Sequence, residues 1–399
     1  MSWPAAPLSS ACKTFADGDW IESKDQSSGG IRLVQTGNVG EGRFKDRRDK
    51  ARFISPETFD RLNCTEVLPG DVLISRLPDP VGRSCQIPET GDKMITAVDC
   101  TIVRPEADKL DQDFLVYYTQ SKAYQRDIEE RCTGTTRKRI SRKNLGLIPI
   151  PLPPLEEQKR IVAVLDQAFA ALDRARANAE ANLADAEELF DIALQNVFAT
   201  TAKGSDRALR DVCSVITDGT HNAPPYVNDG IPMLDTKNIG DGFVIEEASA
   251  SKFISRETDA QLAGRCKPRP GDVLISSRGT IGKLAIVEDG QDFNIMGNII
   301  LLRPRPELRP LYLAYRLMAE VVKIQNISRG AAQKGLYLKP MREYPIRLPD
   351  LKTQDGIIAK LEGISNARGS LQGNYLNKLA DLDGLRQSIL QKAFAGELT

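Results

Sequence analysis

The sequence contains a single histidine, His221, among its 399 residues. A metal site built from several histidines and a multi-histidine acid–base centre are therefore excluded. Seven cysteines are scattered without a C-x-x-C pair, so neither zinc ligation nor a disulfide framework is predicted, and we expect reduced thiols. The longest apolar runs, such as residues 295–302, are much shorter than the roughly 20 residues of a membrane span.

A secretory signal is also missing from the start of the chain, so we expect a cytoplasmic protein with no membrane partner. No phosphate-binding or dinucleotide-binding glycine motif occurs: in Gly-Thr-Ile-Gly-Lys (residues 279–283) the glycines are too close together, and Leu284 replaces the magnesium-binding hydroxyl. No nucleophile elbow and no Asn-Pro-Pro-aromatic motif is found, and no carboxylate pair stands out. These absences predict a binding protein without catalytic residues, metal site or cofactor.

A net charge of one sign is lacking as well, because 54 basic and 54 acidic residues cancel. This balance argues mildly against a nucleic-acid partner, but the charges are segregated along the chain. Residues 131–143 carry six basic side chains and no acidic one, and residues 43–52 form a second basic cluster diluted by Asp46 and Asp49. Local fields of this kind suit a polyanion, although one basic cluster alone is often only a solvated loop.

What the sequence does contain is a long internal repeat. The repeated segments are Ala51-Arg-Phe-Ile-Ser-Pro-Glu-Thr58 with Ser251-Lys-Phe-Ile-Ser-Arg-Glu-Thr258, Pro69-Gly-Asp-Val-Leu-Ile-Ser75 with Pro270-Gly-Asp-Val-Leu-Ile-Ser276, Leu152-Pro-Pro-Leu-Glu-Glu-Gln158 with Leu348-Pro-Asp-Leu-Lys-Thr-Gln354, and Leu194-Gln-Asn-Val-Phe-Ala199 with Leu390-Gln-Lys-Ala-Phe-Ala395. The offset of about 200 residues is far longer than the roughly 20–50 residues of a solenoid repeat. The pattern therefore indicates a duplicated domain-plus-helix module, which suits a target with two halves.

Each copy combines a strand-rich lobe with a long helix. Runs of β-branched residues bounded by Gly, Pro and Asn predict strands in residues 1–150 (the first lobe) and 201–346 (the second lobe), and residues 111–130 are expected to form a helix. Proline-rich connectors then lead into helices within residues 151–200 and 347–399.

Apolar and small residues recur in both long helices at alternating spacings of three and four, which is typical of heptad packing. The first helix would be roughly 60 Å long. Because glycines weaken the second helix, we expect it to pack antiparallel against the first. The predicted fold is thus α+β: two mixed α/β domains in a pseudo-two-fold arrangement, separated by two long antiparallel coiled-coil-like helices.

Polar loop residues at similar places in both lobes are the predicted DNA contacts. Arg can bridge guanine in the major groove, Gln can pair with adenine, and Lys and Thr favour phosphates. The lobes share scaffold residues but differ in these loops, as two different base sequences would require. The candidates are Ser75, Arg76, Arg83, Thr135, Arg137, Lys138 and Arg139 in the first lobe, and His221, Arg278, Thr280, Lys283, Arg329, Gln333 and Lys334 in the second. An ordinary exposed loop residue is the alternative for each, His221 is favoured as a structural histidine, and Trp20 is expected in the core.

With these motifs in this order, the chain resembles the specificity subunit of type I restriction–modification systems. The resemblance covers nearly the whole chain, including Asp17-Gly-Asp-Trp-Ile21 near its start and residues 390–398 at its end. It implies two target-recognition domains, each recognising one half of a bipartite site in double-stranded DNA. It also implies helices that set the spacer and dock two methyltransferase subunits, and a motor-nuclease subunit that joins for cleavage. Gly-Thr-Ile-Gly-Lys has no clear equivalent in the first lobe, so the recognition loop is less well defined there.

Three other functions stay open at this point. The chain could be a coiled-coil scaffold whose lobes bind protein, which DNA retention with a steep salt dependence would exclude. It could be a self-sufficient modification enzyme, although the catalytic motifs are missing. It could also belong to a methylation system that has no nuclease.

Overall fold

The computed structural model of the chain describes residues 3–134, 137–200, 204–329 and 335–398. The chain divides into two compact units. The first unit comprises Met1–Glu180 and Leu376–Thr399, and the second comprises Ala181–Tyr375. Each unit therefore combines one lobe with parts of both long helices. The predicted boundaries between lobes and helices stay a prediction.

The first unit is a mixed α/β body. Its strands are β1 (Ala5–Pro7), β2 (Cys12–Asp17), β3 (Gln26–Ser27), β4 (Ile31–Val34), β5 (Arg52–Ile54), β6 (Val72–Ser75), β7 (Ser84–Gln86), β8 (Met94–Thr96), β9 (Cys100–Pro105) and β10 (Pro149–Pro151). Its short helices are α1 (Pro56–Leu62), α2 (Gln112–Tyr118), α3 (Lys122–Arg131) and α4 (Arg142–Gly146), with 3-10 turns at Leu8–Ala11, Ser23–Asp25, Thr36–Asn38 and Arg48–Lys50. The first long helix, α5, spans Leu155–Ala199.

The second unit repeats this plan. Its strands are β11 (Ser205–Ala208), β12 (Cys213–Asp218), β13 (Ile231–Leu234), β14 (Phe253–Ile254), β15 (Val273–Ser276), β16 (Leu284–Ile286), β17 (Asn294–Ile295), β18 (Ile299–Pro304) and β19 (Pro345–Leu348). Its helices are α6 (Leu209–Val212), α7 (Arg256–Ala263), α8 (Pro310–Ala319), α9 (Val321–Arg329) and α10 (Leu338–Arg342), with 3-10 turns at Thr236–Asn238 and Glu247–Ser249. The second long helix, α11, spans Leu351–Ala395.

The sheets of the two units have matching topologies. An antiparallel sheet has the order β2-β9-β6-β7 in the first unit and β12-β18-β15-β16 in the second. A second sheet contains a parallel pair, β4 with β8 or β13 with β17. The connector after each lobe forms a short antiparallel ladder with the strand that opens that lobe, β1 with β10 and β11 with β19. The repeat in sequence is therefore a repeat of strand order.

The repeated Pro-Gly-Asp segment places a carboxylate beneath each antiparallel sheet. Asp71 is buried and accepts two bonds of 2.7 Å from the Arg104 guanidinium, which ties the start of β6 to β9. Asp272 and Arg303 make the same pair, again with two bonds of 2.7 Å. A bidentate pair is geometrically specific, and removing one partner would leave a buried charge without compensation. The segment thus ties together the two inner strands of each antiparallel sheet, β6 with β9 and β15 with β18.

A buried glutamine joins each long helix to its lobe. The Gln158 side chain donates to the carbonyls of Lys109 and Pro153 at 2.9 and 2.8 Å and accepts the Asp111 N–H at 2.8 Å. In the second unit Gln354 donates to the Glu307 and Pro349 carbonyls, each at 2.9 Å, and accepts the Arg309 N–H at 2.8 Å. The final glutamine of each Leu-Pro-x-Leu-x-x-Gln segment therefore satisfies backbone groups of the connector and of the loop before α2 or α8.

The last turns of each long helix are buried in a hydrophobic core. In the first unit Leu390 is fully buried, and the Phe394 ring meets Phe114 edge-on at 5.3 Å between centroids. In the second unit Leu194 is buried, and Phe198 packs edge-on against Tyr312 at 5.8 Å. The repeated segments Leu194–Ala199 and Leu390–Ala395 are thus core segments, and each long helix contributes to both units.

The two long helices pack together within each unit. In the first unit Arg386 donates to Asp173 at 3.2 Å, and Arg176 pairs with Asp383. In the second unit the Arg368 guanidinium lies 4.1 Å from the centre of the Phe190 ring. As the contacts proceed forward along α5, from Asp173 to Arg176, their partners on α11 proceed backward, from Arg386 to Asp383. The two helices are therefore antiparallel. The predicted α/β fold with a pair of long packed helices is confirmed.

Two local predictions are wrong. Residues 111–130 form two helices, because the Ser121 hydroxyl accepts the Tyr124 N–H at 3.2 Å and starts a new helix, α3. Trp20 lies outside the core, with 70% of its surface exposed.

In the described part of the chain, no helix is both long enough and apolar enough to cross a membrane.

Replacing Gln158 with Met should destabilise the protein by about 3 kcal/mol, because buried backbone groups lose their hydrogen-bond partners. Gln167 lies exposed on the same helix, and Gln167→Met should change stability by no more than about 0.5 kcal/mol. Urea unfolding of the full chain, followed by circular dichroism, measures both. Equal midpoints for the two variants would contradict the structural role of Gln158.

Candidate nucleic-acid interface

Arg83 is a buried junction between two loops of the first lobe. Its guanidinium donates to the carbonyls of Val39 and Thr36 at 2.8 Å each, and to those of Leu77 and Pro80 at 2.8 and 2.9 Å. Burial lowers the pKa of this guanidinium, but an arginine stays charged in proteins. The side chain therefore uses its donors inside the lobe, where they hold the loop after β6 against the turn after β4.

Ser75 and Arg76 are buried in the same loop. The Ser75 hydroxyl donates to the Leu77 carbonyl at 3.0 Å. Arg76 donates to the Val98 carbonyl, and its Nε lies 3.4 Å from a carboxylate oxygen of Asp17. Like Arg83, both side chains point into the protein in this structure. The geometry supports a role in shaping the loop, and the predicted direct DNA contact by these residues stays a prediction.

The second candidate stretch of the first lobe is exposed. Arg137, Lys138 and Arg139 all lie on the surface, while Thr135 is outside the described residues. Thr133 and Arg139 exchange two backbone hydrogen bonds of 2.9 Å, which closes the turn between them. This segment adjoins the loop that contains Arg76, because the Ile140 N–H donates to the Arg76 carbonyl at 3.2 Å. The structure thus brings the two predicted stretches of this lobe together.

The second lobe builds a similar loop from different side chains. Arg278 and Thr280 are exposed at its tip, and the Ser276 hydroxyl donates to the Thr280 carbonyl at 2.6 Å. Lys283 is half-buried, and its ammonium group donates to the Ile239 carbonyl at 3.2 Å. This bond corresponds to the one from Arg83 to Val39, so Arg83 and Lys283 occupy equivalent places in the two lobes.

The remaining candidates of this lobe follow α9. Arg329 is the last residue of that helix, and its side chain lies outside the description, as do Gln333 and Lys334. The chain resumes beside the first loop of the lobe, where the Leu336 N–H donates to the Ser277 carbonyl at 2.9 Å. The backbone just after these candidates therefore lies against the loop that follows β15.

His221 has a partner within the protein. Its Nε2 lies 2.9 Å from a carboxylate oxygen of Asp218, which also pairs with Arg265. Gly297 leaves room for the ring, since a Cβ at that position would lie 2.5 Å from Nδ1 of His221. The geometry supports the structural role favoured from the sequence, and a binding role stays untested.

Trp20 is a surface residue that the sequence alone did not identify. It follows an Asp-Gly-Asp turn in which Gly18 approaches β8 so closely that a Cβ would lie 2.3 Å from the Thr96 carbonyl oxygen. The Asp19 carboxylate accepts the Thr65 N–H at 3.0 Å and anchors the turn.

Cys85 and Cys213 are buried thiols, one in each lobe. Burial raises the pKa of the Cys85 and Cys213 thiols to about 12, so these thiols stay protonated near neutral pH. Among the residues that the structure describes, no group of three or more His, Cys, Asp or Glu side chains is placed to hold a metal ion.

These features define a class of duplicated α/β proteins, in which each lobe supports a polar, loop-built surface and the lobes are followed by long paired helices. Residues 11–182 and 205–379 match the family model described as the type I restriction modification DNA specificity domain. The chain therefore belongs to this family.

Curated relatives are similar to this chain over most of its length, and two solved structures share its fold. The chain is 28% identical over 330 residues to the type I restriction enzyme EcoBI specificity subunit of Escherichia coli, covering 74% of this chain and 68% of that protein. It is 24% identical over 398 residues to the EcoKI specificity subunit of Escherichia coli K12, covering 92% and 82%. A chain solved in work on complex assembly and conformational transition of the type I R-M system has a TM-score of 0.81 at 23% identity, covering 100% of this chain and 98% of that chain. The HsdS subunit from Thermoanaerobacter tengcongensis has a TM-score of 0.58 at 23% identity, covering 100% and 97%.

The burial of Arg83 and the exposure of Arg139 lead to opposite expectations for stability. Arg83→Met should lower the free energy of unfolding by about 3 kcal/mol, because buried carbonyls lose a charged donor. Arg139→Met should change it by no more than about 0.5 kcal/mol, as is usual for surface substitutions. Urea unfolding of the two variants provides the comparison, and an unchanged midpoint for Arg83→Met would show that this guanidinium does not hold the loops.

Proposed function

We propose that the chain is the DNA-binding specificity subunit of a type I restriction–modification complex, and that each lobe recognises one half of a bipartite site. The supporting observation is that one scaffold is built twice around different loops. The ion pair under the sheet, the buried glutamine and the serine-held loop all recur, whereas the exposed side chains of the loops do not. A duplicated scaffold with divergent loops suits a target whose two halves differ in sequence.

Within each lobe, we assign different tasks to buried and exposed candidates. Arg83 and Lys283 position the recognition loops through bonds to backbone carbonyls. The side chains of Arg137, Arg139 and Arg278 are exposed, and the Arg139 guanidinium lies 3.8 Å from a carboxylate oxygen of Asp99. From these positions a guanidinium can approach the duplex, where it can bridge guanine N7 and O6 or contact a phosphate. The glycines beside them allow close approach of the backbone.

The paired helices have two tasks in this proposal: they set the spacer between the half-sites, and they dock two methyltransferase subunits. Large apolar side chains remain exposed on both helices, which is typical of surfaces that bind a protein partner. These side chains are Leu189, Ile192, Leu371, Leu376 and Leu385. Methyl transfer and cleavage then belong to the partner subunits, including a motor-nuclease subunit, and this chain supplies only the choice of site.

The decisive experiment is methylome sequencing of cells that express the methyltransferase subunits with and without this chain. We expect methylation of a bipartite motif with a fixed spacer only when the chain is present. Methylation of the same motif in its absence, or methyl transfer by the isolated chain, would contradict the proposal. Cleavage of unmethylated DNA by the complete set of subunits separates a restriction system from a methylation system without nuclease.

Removing one heptad from each long helix, at facing positions, should shorten the spacer and leave both half-sites unchanged. Seven residues correspond to roughly 10 Å of helix, or about three base pairs of duplex. Methylome sequencing of the variant reports both the half-sites and the spacer. As a control, seven exposed surface residues replaced on the same helices should leave the motif unchanged. A variant that altered a half-site but kept its spacer would refute this role of the helices.

A further inference from the structure

The loop at residues 40–52, called the basic loop below, is a charged surface of the first lobe that the predicted contacts do not include. It contains six basic side chains and three acidic ones. In the sequence, Asp46 and Asp49 dilute its charge. In the structure, Asp46 is bound by an arginine of β4, which changes how the loop presents its charge.

Asp46, whose side chain is 42% exposed, is neutralised by the buried Arg32. This arginine lies on β4 with only 2% of its side chain exposed, and it pairs with Asp46 and, at 3.3 Å, with Asp92. The Arg48 guanidinium closes the cluster, 3.1 Å from Asp46 and 2.8 Å from Asp92. The hydrogen bond from Arg32 holds the pKa of Asp46 below its usual range. Two carboxylates and two guanidinium groups therefore compensate one another.

The basic loop has a defined conformation. The Lys45 N–H donates to the Asn38 carbonyl at 2.8 Å, and the Asn38 side chain donates back to the Lys45 carbonyl at 2.9 Å. Between these bonds, the Phe44 ring lies 5.5 Å from the guanidinium carbon of Arg32. The loop is thus tied to the turn after β4 and needs little ordering to bind a ligand.

Lys45, Arg47 and Lys50 point their charges outward. All three are exposed, and within the described residues none of them forms an ion pair. Arg47 lies close over Gly37, where a Cβ would sit 3.0 Å from its guanidinium nitrogen. Because the carboxylate of Asp46 is already paired with Arg32 and Arg48, these side chains present a positive surface that a polyanion can meet.

The basic loop is directly attached to the candidate interface of the first lobe. The Gly42 N–H donates to the Ser84 carbonyl at 2.9 Å, next to Arg83 in the chain. Arg83 in turn holds the turn from which the basic loop starts, through its bonds to Thr36 and Val39. The exposed cations therefore adjoin the loop that Arg83 positions.

The second lobe has no such loop in its corresponding residues 240–252. That segment carries three acidic residues and a single basic one, Lys252. The strand position of Arg32 is taken by Pro232, and Lys237 stands in place of Gly37. The buried arginine and the space for Arg47 are thus specific to the first lobe.

We propose that the basic loop is a phosphate-binding site of the first lobe, which contacts the DNA backbone beside its half-site through Lys45, Arg47 and Lys50. This inference rests on the proposed function. Phosphate contacts release counterions, so each one adds to the salt dependence of binding without selecting a base. The two half-sites are therefore held unequally, and the first lobe contributes more of the salt-dependent affinity.

The test compares the wild type with the variant Lys45→Gln, Arg47→Gln, Lys50→Gln, each as the full chain assembled with its methyltransferase subunits. The probe is a labelled duplex that carries the motif found by methylome sequencing, and binding is measured by fluorescence anisotropy over a range of salt concentrations. We expect the slope of log K against log salt to become shallower by about three in the variant, since each contact contributes about 0.9. The methylated motif should be unchanged.

Two control variants make the result specific. Lys13→Gln, Lys122→Gln, Arg126→Gln removes the same charge from exposed positions elsewhere in this lobe and should keep the wild-type slope. Lys45→Arg, Arg47→Lys, Lys50→Arg keeps the charge of the loop and should also keep that slope. A wild-type slope in the glutamine variant, or an equal change in the first control, would overturn the inference. If the wild-type complex showed no preference for its motif, the proposed function itself would fail.

Discussion

The buried amide at the start of each long helix is the interaction on which the structure of each unit depends. Gln158 connects the first turn of α5, the proline connector and the loop before α2, all through backbone groups. Gln354 does the same in the second unit. A side chain that forms hydrogen bonds with three backbone groups fixes the direction of the helix as well as its position, because each hydrogen bond has its own angular preference. The helix therefore leaves its lobe at a defined angle instead of pivoting on a flexible linker.

Much of the fold could be predicted because a comparison of the two copies shows which residues belong to the shared scaffold. Residues that recur in both copies, at offsets of 196 to 201 residues, are those with structural tasks, such as Asp71, Gln158 and Phe394. The boundaries of the two compact units could not be predicted in the same way. They depend on where the last turns of each long helix are buried, and this burial involves residues far apart in the sequence, which local patterns do not reveal. The break at Ser121 was missed because a serine within a helical stretch gains its capping role only from the local backbone geometry.

The candidate site was predicted less well than the fold, and the arginines show why. Arg83 and Arg139 are chemically identical, yet one donates to buried carbonyls and the other lies in solvent. Sequence identifies the residue type but not the direction of the guanidinium. The same limit explains Asp46, which dilutes a basic cluster in the sequence but pairs with the buried Arg32 in the fold. The charge counted along a sequence differs from the charge presented at the surface, because folding forms ion pairs that neutralise some of the side chains.

The packing of Leu194 and Phe198 in one core, and of Leu390 and Phe394 in the other, has a consequence for any shortened form of the chain. A polypeptide made of one module alone would lack the closing segment of its own interior. The same segment from a second, identical polypeptide carries the matching leucine and phenylalanine and would supply it.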